Sequence, residues 1–134
     1  MAKLTEIEGI GESYAQKLQE AGVGTLDQLL EKGAAPTGRK EIAEKAGVSE
    51  KLILRWVNMA DLFRIKGVGE EYADLLEAAG VDSVPELAQR NAGNLHKKLA
   101  EANEAKKLVH RVPTQSEVSG WVDQAKKLPR VLTY

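Results

Sequence analysis

Twenty residues occur twice in this chain, and the repeat limits the fold more than any other feature. Residues 4–23 and 62–81 superpose at a shift of 58, which sets Ile7 on Ile65, Gly9 on Gly67, Gly11 on Gly69, Tyr14 on Tyr72, Ala15 on Ala73, Leu18 on Leu76 and Gly22 on Gly80. Agreement over that length marks an internal duplication. Each copy reads as two helical pieces joined by a very tight turn. The isoleucine ends the first piece, the Gly-x-Gly supplies backbone angles closed to other residues, and the second helix starts at once. In the second copy Val68, Tyr72, Ala73 and Leu76 fall three or four residues apart and so share one face.

Both copies read apolar-x-Gly-apolar-Gly, three residues, Ala, two variable residues, Leu, which resembles the helix-hairpin-helix motif, whose usual form is apolar-Gly-apolar-Gly, three variable residues, Ala, two variable residues, Leu or Ile. That resemblance implies a hairpin whose backbone N–H groups bind a DNA phosphate without reading bases. The chemistry suits the geometry, because a helix start leaves amide donors unpaired and carries partial positive charge.

With 134 residues the chain has room for one domain or two small ones, and 43% hydrophobic content with six aromatic residues suits a helical core of Leu, Ile, Val and Ala. The absence of cysteine excludes disulfides, thiolate metal sites and a cysteine nucleophile. No apolar run is long enough to span a bilayer and no signal peptide is visible, so a cytoplasmic location and no membrane partner are expected. Charge is unevenly spread. Residues 1–88 hold 10 Lys/Arg against 16 Asp/Glu, a net −6, whereas residues 89–134 hold 9 against 4, a net +5. A nucleic-acid footprint would therefore favour the C-terminal third.

In chain order, residues 4–8 read as a short lead helix, 9–11 as the first hairpin and 12–21 as the next helix, closed by Gly22. Thr25 caps a helix carrying Leu26, Leu29 and Leu30, which Gly33 and Pro36 end. Thr37 restarts the chain as a helix with Ile42 and Ala46, leading to a degenerate hairpin at Gly47-Val48-Ser49. One uninterrupted helix is expected from Ser49 to Ile65, joining a first unit (1–60) to a second (61–134) and arguing for one compact body. Ser83 then caps a helix containing Pro85, Leu87 and Ala88, and residues 95–103 form another. Pro113 stops any helix still running, and Thr114 with Glu117 makes a capping box for a last helix bearing Val118, Trp121, Val122 and Ala125. Trp121 matches Trp56 at a shift of 65 instead of 58, which implies about seven inserted residues. The apolar tail, residues 128–134, is expected to dock on the helices. The fold class is thus all-α, about nine short helices in tandem hairpin units, with no sheet.

The segments 9–18, 21–29 and 46–53 are similar to the small N-terminal domain of archaeal and eukaryotic strand-exchange recombinases, whose ATPase domain has no counterpart here. Over nearly its whole length, through both Gly-x-Gly hairpins, residues 103–109 and residues 121–131, the chain resembles a bacterial family of tandem helix-hairpin-helix units that is a domain of unknown function.

The candidate nucleic-acid site comprises Arg64, Lys66, Gly67, Val68 and Gly69 of the second hairpin, with Lys97, Lys98, Lys106, Lys107 and Arg111 from the basic third. Each neutralised phosphate contact would make binding more sensitive to salt. Against this stand Glu12, Glu70 and Glu71 in the first helical turns, where an acid already stabilises the helix dipole and repels phosphate. The first hairpin, beside Glu6 and Glu8, therefore reads as structural. Two readings stay open: non-enzymatic, sequence-independent binding of double-stranded DNA, or a protein-interaction module that keeps the hairpin as architecture. His96 and His110 lie too far apart for a shared metal, Tyr14 and Tyr72 replace the third glycine of a dinucleotide fingerprint, and no catalytic constellation appears. No cofactor, metal or small-molecule substrate is expected.

Overall fold

The computed structural model describes residues 3–7 and 9–133. Among them the chain is all-helical, without strand or sheet: a 3-10 turn at Leu4–Glu6, then α1 (Glu12–Glu20), α2 (Leu26–Lys32), α3 (Pro36–Ala46), α4 (Glu50–Leu62), α5 (Glu70–Ala78), α6 (Val84–Ala88), α7 (Ala92–Lys106) and α8 (Gln115–Lys127). Two compact units result, Met1–Asp61 with Arg130–Tyr134, and Leu62–Pro129.

The duplication reaches beyond the twenty matching residues, since α1 to α4 of the first unit recur as α5 to α8 of the second. Local chemistry repeats with it. The Thr25 hydroxyl accepts from the Gln28 amide, and 58 residues on the Ser83 hydroxyl accepts from Glu86. At the end of the helix before each cap, Lys32 Nζ donates to the Gly22 carbonyl (2.6 Å) and Arg90 Nη2 to the Gly80 carbonyl (3.0 Å). Those carbonyls belong to glycines with φ of +87° and +93°, the left-handed positions that end α1 and α5.

The lead element of each hairpin is shorter than its apolar pattern suggests. Ile7 N–H bonds to Leu4 C=O and Ile65 N–H to Leu62 C=O, both at 3.1 Å and both three residues back, so each copy makes a single tight turn. The uninterrupted helix expected from Ser49 to Ile65 therefore stops at Leu62. Phe63 continues the apolar spacing, but the turn that places Ile65 in the core breaks the helical ladder. Of the expected lead helix, Glu8 lies outside the described residues. The helix expected to restart at Thr37 begins at Pro36, whose missing N–H costs nothing at a first helical position. The helix expected over 95–103 extends over the whole of α7.

In the first unit α3 packs against α1 and α2. Helix α4 is buried on every side over its second half, where Trp56, Val57, Asn58, Met59, Ala60, Asp61 and Leu62 are all inaccessible. A helix sunk that deeply is a core element rather than an amphipathic surface one. Each fully buried Leu or Ile here, such as Leu18, Leu29 or Ile53, contributes roughly 1.5–3 kcal/mol of transfer free energy. Within the second unit α8 packs on α6 and α7, and α5 on α7.

The tail docks as expected, and its site is on the first unit. Leu132 is fully buried and the Thr133 amide donates to Ala34 C=O at 2.8 Å. Tyr134 lies outside the described residues.

Candidate nucleic-acid interface

Both Gly-x-Gly turns adopt one geometry. The first glycine has φ of +95° at Gly9 and +96° at Gly67, and the apolar residue after it bonds back to the isoleucine, Ile10 to Ile7 and Val68 to Ile65, each at 3.1 Å. The second glycine is extended and serves as the N-cap, Gly11 for α1 and Gly69 for α5. Behind each turn stands a tyrosine-tryptophan pair. Tyr14 meets Trp56 at 5.1 Å between ring centroids and 60° between planes, and Tyr72 meets Trp121 at 5.3 Å and 50°. The first is the edge-on geometry that aromatic quadrupoles prefer, and the second is a tilted variant of it. The positive φ accounts for a glycine at both first positions, and at Gly67 the tryptophan adds a steric reason. A Cβ on Gly67 would sit 3.0 Å from Trp121 Nε1, whereas one on Gly9 would meet Arg55 Nη1 at 3.4 Å and Trp56 Nε1 at 4.0 Å.

Side-chain caps separate these two helices, and α3 behind Ala35, from the other five. The side chains of Thr25, Ser49, Ser83, Asn91 and Thr114 each accept an amide of the helix that they begin. Gly11 and Gly69 make no such bond, so the first-turn amides of α1 and α5 are left without a side-chain cap.

The ten predicted residues separate into three groups. Arg64, Lys66, Gly67, Val68 and Gly69 form the second turn itself, but their roles differ. Arg64 is half-buried and its Nη2 donates to Pro129 C=O at 2.8 Å, which ties the turn to the end of α8. Lys66 is held by its backbone: Gln124 Oε1 accepts its N–H at 2.9 Å and Gln124 Nε2 donates to its C=O at 3.1 Å, while the lysine side chain stays exposed. Val68 is a core residue. Only the Lys66 side chain and the glycine backbone present themselves outward.

Arg111 is brought to the same place from far away in sequence, because Tyr72 Oη, in the first turn of α5, donates to Arg111 C=O at 3.0 Å. Its guanidinium is engaged by Glu117, Nη1 to Oε1 at 2.7 Å and Nη2 to Oε2 at 3.0 Å. That bidentate pair, with the Thr114 amide also donating to Glu117, holds the Glu117 carboxyl down to about 2.

The remaining lysines do not share one face. Lys97 and Lys106 lie on opposite sides of α7, about 180° apart at 100° per residue. Lys97 and Lys98, with Arg90 and Glu101, border a shallow groove of about 420 Å³ near the start of α7. Lys107 leaves the helix altogether, with φ of +51° at the cap.

Two residues that sequence reasoning did not single out matter here. Gln124 fixes the second turn through Lys66, and no local pattern marks it. Arg55 lies against Gly9 and brings a cation to the hairpin that reads as structural from its acidic neighbours; its place beside Trp56 was the available signal. Among the described residues there is no cluster of three or more His, Asp or Glu able to hold a metal, and no helix long and apolar enough to cross a membrane.

No curated protein and no solved structure matches the chain. A family described as a domain of unknown function, DUF4332, matches residues 8–128, nearly the whole length, and the chain belongs to that family.

Proposed function

We propose that the protein is a non-enzymatic, sequence-independent DNA-binding module whose helix-hairpin-helix turn at residues 67–69 takes a backbone phosphate. One observation carries the reading: the two helices that follow a Gly-x-Gly turn have a glycine cap and no side chain on their first-turn amides, whereas five other helices have one; α3 also lacks a side-chain cap, but it begins with Pro36, which has no N–H to offer. Amides left open at a helix start form an anion site when a cation stands beside them, and Lys66, three residues before the α5 cap, is exposed. Arg111, anchored to Tyr72 at the same end of α5, adds a second charge that Glu117 partly offsets.

The second reading, a protein-interaction module, draws on the acids of those first turns. Glu12, Glu70 and Glu71 are exposed and oppose an incoming phosphate, and they suit a basic protein surface equally well.

Fluorescence anisotropy of a labelled duplex, titrated at low salt and then through rising salt, separates the two. Binding that weakens log-linearly, with a slope of roughly 0.9 per phosphate contact, supports the DNA reading. Lys66→Glu should then lower affinity about tenfold or more, since it reverses a charge at the contact. Arg64→Glu is a poorer probe because that side chain holds Pro129. Affinity unchanged by Lys66→Glu removes the turn from the interface, and no binding at low salt leaves the protein-partner reading.

A further inference from the structure

We propose that the first unit carries a binding site for an extended, leucine-bearing chain segment, built from residues 33–35 and Arg39, which residues 130–133 fill in cis and the same segment of a second copy can fill in trans. The site is read from Arg39. This arginine is only 5% exposed, and it spends its donors on main-chain carbonyls: Nη1 on Gly33 (2.8 Å) and Ala34 (3.1 Å), Nη2 on Thr133 (2.7 Å). The Thr133 amide returns a bond to Ala34 C=O at 2.8 Å, so one tail residue is recognised at both its N–H and its C=O. The residue before it, Leu132, is fully buried and provides the apolar anchor. Arg130 Nε donates to Leu132 C=O at 3.1 Å, which stiffens the segment before it docks. Main-chain pairing for affinity with one side-chain pocket for selectivity is how folded domains capture extended peptides.

The duplication supports assigning this arginine to the tail. Residues 40–44 (Lys-Glu-Ile-Ala-Glu) match residues 97–101 (Lys-Lys-Leu-Ala-Glu) at a shift of 57, which pairs the buried Ile42 with the buried Leu99 and sets Arg39 on the half-buried His96. The buried arginine is thus found in the unit that holds the tail and has no arginine counterpart in the other. The only segment seen to fit the site is this chain's own, and a second copy presents an identical one. Tethering gives the cis segment an effective concentration on the order of millimolar, so exchange in trans requires comparable protein concentration or an impaired cis tail. The result would be a tail-swapped dimer.

The full-length chain with Leu132→Asp empties the site and leaves Arg39 in place. A fluorescein-labelled peptide of residues 126–134 should bind this variant saturably, bind the wild-type chain at least tenfold more weakly, and lose binding when the peptide itself carries Leu132→Asp. No binding to a variant whose helical circular dichroism is intact, or equal binding to variant and wild type, overturns the proposal. If Leu132→Asp unfolds the chain, the wild type decides. Refolded at about 1 mM it should show a dimer by sedimentation that excess peptide dissolves, and a monomer at every concentration overturns the inference.

Discussion

The two units are one design with different third helices. In the first, α3 has eleven residues and ends at Gly47, a left-handed glycine with φ of +71°; Val48 N–H also reaches back to Ala43 C=O, and Ser49 starts α4 at once. In the second, α7 has fifteen residues and ends at Lys107, the one non-glycine residue with positive φ among those described. A loop follows, which Asn103 closes by bonding both the N–H (2.9 Å) and the C=O (3.1 Å) of Val109. The lesson is that a hairpin scaffold tolerates a longer third helix when a side chain takes over the closing bonds that a glycine turn supplies elsewhere. The longer α7 leads into the loop whose Arg111 bonds to Tyr72 beside the second Gly-x-Gly turn, while the unit with the shorter third helix holds a buried arginine and the tail.

Exchanging residues between the units tests that comparison. Arg39→His installs the residue of the second unit in the first, and its shorter side chain cannot supply all three carbonyl groups that the guanidinium serves. We expect a loss on the order of 3 kcal/mol, measured by urea denaturation; a neutral result would mean that the units are interchangeable at this position. Next come the turn glycines. Gly67→Ala forces a strained φ and drives a Cβ against Trp121, costing about 1–3 kcal/mol. Gly9→Ala meets only the flexible end of Arg55 and should cost less by the same assay, although its φ is as strained. The helix caps give a smaller, signed pair. Gly47→Lys should destabilise by about 1 kcal/mol, whereas Lys107→Gly should stabilise by roughly 0.5 kcal/mol, since relief of left-handed strain outweighs the added freedom of the unfolded chain.

The smallest effect belongs to the ion pair that only the second unit has. Glu117 titrates near 2 in the folded chain against an ordinary 4.5, so its contribution is present above pH 4.5 and is lost as pH falls from 4.5 towards 2. Glu117→Gln should flatten the acid limb of Tm against pH in that window, by little, because the pair is exposed and salt-screened.

Much of this was legible in the chain itself. The Gly-x-Gly turns, the Thr25, Ser83 and Thr114 caps and the match of Trp121 to Trp56 follow from local chemistry, which acts within four or five residues and so leaves its mark in spacing. The end of α4 was not legible, because Phe63 fits the helical period and only the packing of Ile65 demands a turn. Nor was the candidate site: the basic residues of the C-terminal third and of the second hairpin read as one site, yet Lys97 and Lys106 diverge around α7 and Arg64 bonds to Pro129.

Sequence by itself determined the helices, their caps and the duplicated turn, since helix periodicity and glycine's access to positive φ are properties of neighbouring residues. Tertiary structure alone decided that Gln124 clasps Lys66, that Arg55 stands over Gly9, and that Arg39 holds Thr133. Those pairs are separated by 46 to 94 residues along the chain, where no local energy term records which side chain will arrive.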